Sequence, residues 1–126
     1  MSTPIAFIRA LVCAFLLDTL AQAALAGLFV TGDVDLLAWH DANAQLLAAL
    51  AAALVGAAVL LRVRGGGPGW PIAATGALLV LVLGQQGLGQ ARILAGHIPL
   101  ALGIFGTATA LTCWSFTYHP VPGEAS

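Results

Sequence analysis

The sequence has very little charge and no lysine. Only 7% of its 126 residues are charged, and all four cationic residues are arginines. A soluble domain carries charge on about a quarter of its residues, so this composition excludes an ordinary water-soluble surface. With 60% hydrophobic residues and a mean hydropathy of +1.00, the chain is suited to a lipid bilayer as its solvent.

The sequence also has few cysteines and almost no net charge. The two cysteines, Cys13 and Cys113, each lie inside an apolar run, which argues against a disulfide framework and a thiolate metal site. The net charge of −1 gives no basis for nucleic-acid binding. The length corresponds to one domain.

What the sequence does have is four long apolar runs. A membrane-spanning helix needs about 20 apolar residues, and turn-forming segments separate the runs at 31–35, 62–71 and 91–97. Pro71 and Pro99 would occupy first helical turns, where a missing N–H costs little. We therefore predict an all-α integral membrane protein, a single four-helix transmembrane bundle, with helices at about 5–30, 41–61, 70–91 and 97–118 and a tail at 119–126.

The arginines predict the orientation of these helices. Arg9, Arg62 and Arg64 would lie on one side of the membrane, and cytoplasmic loops carry the excess of positive charge. The N- and C-termini are then cytoplasmic, and Arg92 lies on the outer side. Because the sequence shows no organelle-targeting signal, we expect a multi-pass protein in the plasma membrane of a prokaryote.

The sequence predicts that helices 1–2 and helices 3–4 are two copies of one helical hairpin. The matched positions are Gln22 with Gln85, Leu25 with Leu88, and Thr31-Gly32 with Ala95-Gly96. Two hairpins in the same orientation imply a pseudo-two-fold axis along the membrane normal.

The strongest match in the repeat is a pair of histidines. Each begins a line of residues at steps of four, three, four, three and four, which follows one helix face. The two lines are His40, Ala44, Leu47, Ala51, Leu54 and Ala58, and His97, Ala101, Ile104, Ala108, Leu111 and Ser115. The repeat therefore predicts that the two histidines face each other at equal depth, near the outer surface.

Two facing histidines point to haem. Imidazole nitrogens are axial ligands of haem iron, and bundle cores hold cofactors between facing helices. We predict one haem b per chain, with His40 and His97 as the two iron ligands. Arg92, on the same side, is a candidate partner for a haem propionate, because arginine–carboxylate pairs are strong and geometrically specific.

The residues below the histidines complete the predicted cofactor site. Ala44 and Ala101 would leave room for the flat ring. Leu47 and Ile104 would contact its faces.

Two other functions remain open from the sequence. Small residues on membrane helices also serve close helix packing, so a cofactor-free structural or assembly subunit is the first alternative. Asp18 is ionisable and lies within helix 1, where such a group is functional by default; a small proton-linked transporter that uses it is the second. The glutamines, Gln22, Gln85, Gln86 and Gln90, are assigned to interhelical hydrogen bonds.

The segments around the two histidines resemble parts of the haem A synthase family. Helix 2, from His40 and Ala44 to Arg64, is similar to the second helix of one half of such a protein, and the segment GQQGLGQARILAGH, which ends at His97, is similar to its third and fourth helices. The resemblance covers nearly all of this chain but one half of the family's length. It implies a haem site near the outer face and a role in electron transfer or haem handling. A homodimer or larger membrane complex would rebuild the eight-helix arrangement.

The chain departs from that family in three respects. The oxidative half of the family has a glutamate three residues before its helix-2 ligand, where this chain has Leu37. The outer cysteine pair of many members is missing from residues 31–39, and we expect the chain to lack the family's second half. We therefore do not expect an enzyme that oxidises the haem methyl group.

Overall fold

The computed structural model describes residues 3–119, which form four α-helices and no strand. The helices are α1 (Thr3–Val30), α2 (Leu36–Gly65), α3 (Trp70–Gln90) and α4 (Leu94–Thr117). Each is long and apolar enough to cross a membrane. The all-α prediction and the number of long apolar helices are confirmed, whereas the predicted tail, apart from His119, lies outside the described residues.

Helix α2 differs most from its predicted bounds. It begins at Leu36 rather than 41, and it continues through Arg62 and Arg64 to Gly65. Gly66, with a φ of 60°, ends the helix in the left-handed conformation that glycine adopts without steric cost. The two arginines therefore lie in the last turn of α2 and not in the following loop.

Helix α4 begins at Leu94 rather than 97, so Pro99 lies inside it. The prediction that Pro99 occupies the first turn is wrong, and the proline leaves the carbonyl of Ala95 without its usual helical partner. Pro71 does lie in the first turn of its helix, α3, as predicted.

The turns that end α1 and α3 share one hydrogen-bond pattern. The N–H of Asp33 bonds to the Leu28 carbonyl and that of Ile93 to the Leu88 carbonyl, each closing the same kind of helix cap. The left-handed residue of the cap is Gly32 in the first turn and Arg92 in the second. The structural counterpart of Gly32 is thus Arg92, and the alignment with Gly96, which lies within α4, is wrong.

The four helices form a ring of neighbours. Helix α1 packs against α2 and α4, and α3 packs against the same two helices, so α2 and α4 face each other across the diagonal. The two histidine-led faces point into the bundle. Below the histidines, the buried residues are Ala44, Leu47, Ala51, Leu54 and Ala58 on α2, and Ile104, Ala108, Leu111 and Ser115 on α4.

One end of the bundle carries three of the four arginines. Arg9 donates from Nε to the Ser115 carbonyl (2.8 Å) and from Nη2 to the Tyr118 carbonyl (3.2 Å), which ties α1 to the end of α4. Arg62 and Arg64 lie in the last turn of α2 at this same end. The opposite end carries Arg92 and the aspartates of the first turn.

Candidate functional site

His40 and His97 meet across the diagonal of the bundle, at the end opposite Arg9. Their ring centroids are 6.3 Å apart and their planes are inclined at 49°. His40 lies near the start of α2 and His97 near the start of α4, and both are half-buried. The structure thus brings together the two residues that the sequence predicted to face each other.

The His97 ring is held by one residue of α3. Its Nδ1 lies 2.8 Å from the Gln85 carbonyl oxygen, which can only accept, so Nδ1 carries the hydrogen. Its Nε2 lies 3.1 Å from Nε2 of the Gln85 side chain and accepts from that amide. These contacts determine both the tautomer and the direction of the ring.

The His40 ring is held by a glutamine in a similar way. The amide nitrogen of Gln22 lies 3.2 Å from His40 Nε2 and 3.1 Å from the His40 carbonyl oxygen. Asn43 donates to the amide oxygen of Gln22 at 2.9 Å, so the amide nitrogen must be the donor to both His40 atoms. The Nε2 atom of each histidine therefore carries a lone pair.

The other nitrogen of His40 is unusual. Its Nδ1 is buried and has no hydrogen-bond partner among the described residues. The nearest carboxylate oxygen, Oδ1 of the exposed Asp41, lies 3.9 Å away, beyond hydrogen-bond distance. Buried polar atoms are nearly always paired in native proteins, so the His40 ring is less firmly held than the His97 ring.

The His97 ring packs directly against the backbone of Gly89, where a side chain would not fit. A Cβ at this position would lie 2.8 Å from Cε1 and 2.9 Å from Nδ1 of His97, closer than atoms can approach without displacement. The sequence analysis did not single out Gly89, although it lies in the GQQGLGQ segment that carries the repeat. The absence of a side chain here lets α3 support the imidazole directly.

The predicted ring-contact residues line the same inner surface. Ala44 is buried, and Leu47 and Ile104 are buried members of the hydrophobic core. Ala101 is half-buried. They continue inward from the histidines along the two facing helices.

Arg92 occupies the turn just before α4. Its φ of 59° is the one positive value for a non-glycine residue within the described part of the chain. A left-handed conformation costs a side-chain-bearing residue about 1–2 kcal/mol, and glycine is the usual occupant of this cap position. Arg92 is exposed, at the same end of the bundle as the two histidines.

A polar side chain that the sequence analysis did not single out links this site to Asp18. Asn43 contacts Gln22 and also lies 3.4 Å from the backbone carbonyl of Asp18. Asn43 comes three residues after His40, between Asp41 and Gln45 in the polar start of α2, so the sequence carries little signal that distinguishes it. Gln22 and Gln85 make the interhelical hydrogen bonds predicted for them, and Gln86 donates across to the Ala44 carbonyl.

The donor set limits what the site could hold. Within residues 3–119, no group of three or more histidine, cysteine, aspartate or glutamate side chains is arranged to hold a metal ion. A protein-bound zinc ion takes three or four protein ligands. A pair of opposed imidazoles instead suits a metal whose remaining positions are filled by a macrocycle, as in haem.

The chain was compared with protein-family models, curated proteins and solved structures, and none of the three comparisons gives a significant match.

Proposed function

We propose that this chain is a multi-pass membrane protein that binds one haem b between His40 and His97. The observation that carries the proposal is the 6.3 Å separation of the two imidazoles on diagonal helices. An imidazole nitrogen bonds a transition metal at about 2 Å, so two opposed imidazoles on one ion have ring centres about 6 Å apart. The 49° angle between the ring planes is compatible with binding to one ion, because each ring can rotate about its own nitrogen–metal bond.

The tautomers also suit iron ligation. Each Nε2 carries a lone pair, which at present accepts a hydrogen bond from a glutamine amide. Releasing one such bond costs about 1 kcal/mol net, which is small. Gln22 keeps its place through the His40 carbonyl and Asn43, and the Gln85 carbonyl continues to orient His97 through Nδ1, the usual outer support of a metal-bound histidine.

A bound haem would supply a one-electron redox centre. His40 and His97 would both hold the group, so neither residue would leave a place for oxygen to bind. Leu37, where the haem A synthase family has a glutamate, offers no acid or base. These two features favour electron transfer or haem handling over oxidation of the haem, within a protein that resembles one half of a haem A synthase.

Two further features support the arrangement of the site. The matched glutamine–histidine contacts, Gln22 with His40 and Gln85 with His97, are what a pseudo-two-fold repeat of hairpins would produce. Arg92 retains a strained backbone position that glycine would fill more easily, which supports a role for its guanidinium, here as a propionate partner. A homodimer would rebuild the eight helices of the larger family.

The absorption spectrum tests the haem proposal directly. We expect the detergent-purified chain, oxidised and then reduced with dithionite, to show a sharp Soret band and split low-spin bands. His40→Ala and His97→Ala should each lose or alter these bands. His119→Ala is the matched control, because His119 follows α4 at the other end of the bundle, and it should leave the spectrum unchanged.

The opposite outcome has a clear meaning. A colourless protein that also fails to take up added haemin would remove the haem proposal and favour the cofactor-free assembly subunit. Loss of the bands in His119→Ala alone would assign the haem to a different site.

Membrane topology is tested separately. We propose a prokaryotic plasma membrane, cytoplasmic termini and an outer haem site, because three arginines lie at one end of the bundle and cytoplasmic segments carry the positive charge. Reporter fusions should be active on the cytoplasmic side when joined after Gly67 and on the outer side when joined after Asp33. The reverse pattern would contradict the proposed orientation.

A further inference from the structure

A groove on the outer surface of the bundle, along the seam between α1 and α2, contains a carboxyl group. Its volume of about 410 Å³ lies in the range typical of small-molecule sites. All its lining residues but one are aliphatic. They are Ala14, Leu17, Asp18, Ala21, Leu46 and Leu50.

One oxygen of the Asp18 carboxyl group, Oδ2, lacks a donor, although the Asn43 side chain hydrogen-bonds to the same group. The residue is only 8% exposed, and its Oδ2 is buried with no hydrogen-bond partner among residues 3–119. The adjacent Thr19 hydroxyl donates to the Leu16 carbonyl at 2.6 Å instead. Because a buried acceptor without a donor is unfavourable, this oxygen is a candidate to accept a hydrogen bond from a molecule in the groove.

The shape of the groove indicates what kind of molecule would fit. Ala14 and Ala21 lie one turn on either side of Asp18 on α1 and line the groove, so on this side of the helix the carboxyl group is flanked by methyl groups. Leu46 and Leu50, one turn apart on α2, form the opposite wall. Small side chains on one wall and leucines on the other thus leave room for a small apolar group beside the carboxyl group.

The groove also opens outward. Leu17 is 67% exposed and Leu46 is 52% exposed, so the rim is aliphatic and unpacked. In an inserted bundle this rim would face the acyl chains of the lipid. A ligand could then enter from the membrane and leave an apolar tail there.

We propose that this groove binds the head group of a lipid-soluble hydroquinone, whose phenolic hydroxyl donates a hydrogen bond to Asp18. A neutral donor fits better than an ammonium group, because the six lining residues include no second carboxylate and no aromatic ring. A single ion pair in such surroundings loses more hydration than it regains in attraction. The inference rests on the proposed membrane insertion but does not require haem.

The position of the groove gives this site a connection to the histidines. Asn43 lies 3.4 Å from the Asp18 carbonyl oxygen and 2.9 Å from the amide oxygen of Gln22, which in turn contacts His40. A hydroquinone bound at Asp18 would lie beside the side chains that hold one of the proposed iron ligands.

Binding can be measured with the full chain, as purified, in lipid nanodiscs. The probe is a tritium-labelled decyl hydroquinone, and the background is its partition into empty nanodiscs. We expect Asp18→Leu to weaken binding about tenfold or more, the effect of losing one hydrogen bond in an apolar site. Asp18→Asn, which keeps an acceptor oxygen, should retain most of the binding.

Two further variants separate the groove from general effects on the fold. Ala14→Phe should weaken binding by filling the groove, because position 14 is exposed and lies outside the core. Asp33→Leu, in the exposed turn after α1, is the matched control and should bind like the unaltered chain. The dimethyl ether of the hydroquinone, which lacks the donor, should not compete.

Several outcomes would overturn the inference. Equal binding by Asp18→Leu, or equal competition by the dimethyl ether, would show that the probe merely partitions into lipid. Stronger displacement by decyltrimethylammonium, together with loss of binding in Asp18→Asn, would assign the groove to a cation instead. A failure of membrane insertion would be recognised earlier, because the chain would not enter nanodiscs, and a failure of the haem proposal would leave these results unchanged.

Discussion

Gly89 and His97 are packed so closely that no side chain can be added between them. A methyl group at position 89 would lie 2.8 Å from Cε1 and 2.9 Å from Nδ1 of the ring. The imidazole would have to move, and its hydrogen bond from Nδ1 to the Gln85 carbonyl would be broken or stretched. The ring direction at the proposed iron site thus depends on a glycine of the preceding helix.

The first prediction is that Gly89→Ala reduces haem binding at His97. We expect a weaker and broader Soret band, with partial loss of the low-spin signature, because the displaced ring no longer presents Nε2 in the same direction. Haemin titration of the purified variant measures the effect. Gly87→Ala is the control, since a Cβ there meets nothing within 4 Å; an equal loss in both variants would contradict a local cause.

The second prediction concerns the competition between glutamine and iron for the same atom. In Gln85→Leu the His97 Nε2 loses its hydrogen bond, so the haem-free protein should be less stable by about 1 kcal/mol. Haem affinity should rise by up to about fivefold, because the amide no longer competes. Gln90→Leu, at an exposed position of the same helix, should change neither quantity.

Thermal unfolding and haemin titration together test this second prediction. A fall in haem affinity on removing the Gln85 amide would show that the amide supports the bound state rather than competing with it. In that case the Gln85 amide and the iron would not compete for Nε2 of His97.

The third prediction separates strain from charge at Arg92. Arg92→Gly relieves the left-handed backbone and should stabilise the haem-free protein by about 1 kcal/mol. The same variant should release haem faster, because the proposed propionate partner is lost. Arg92→Asn, which also tolerates this conformation, should behave similarly, whereas unchanged haem release in both variants would exclude the propionate contact.

The fourth prediction addresses the first hairpin turn. Gly32 has a φ of 118°, a conformation that alanine rarely adopts, so Gly32→Ala should destabilise the protein by about 1–2 kcal/mol. Gly27→Ala, inside α1 with nothing within 4 Å of its Cβ, should instead be neutral or stabilising by a few tenths of a kcal/mol to about 1 kcal/mol. Denaturation of the two variants under one condition checks the difference.

Much of the fold follows from the sequence because long apolar runs and their breaks are local signals. The approximate positions of all four helices could be predicted, as could the inward direction of the faces that begin at His40 and His97. The bounds were less accurate. Capping by Gly66 lets α2 continue beyond Arg64, and α4 begins early enough to include Pro99, and both depend on backbone geometry that composition does not describe.

The candidate site could be predicted only in part. The histidines and glutamines were found from matched spacing, but their pairing through specific atoms was not, because a hydrogen bond depends on side-chain direction. Asn43 and Gly89 were not singled out, since one polar residue and one glycine carry little signal in a sequence. The match of Gly32 with Gly96 was wrong because the two hairpins reach their second helices through turns of different length.

The sequence by itself determined that this protein consists of four long apolar helices and that two of them begin near a histidine. It did so because hydropathy and helical period are properties of short stretches of chain. Only the tertiary structure decided that α2 and α4 lie on a diagonal of the bundle and that their imidazoles lie 6.3 Å apart. It also decided that Oδ2 of Asp18 is buried beside a groove with no donor among the described residues. Those relationships join residues distant in the chain, and they arise from how the helices pack rather than from any one helix.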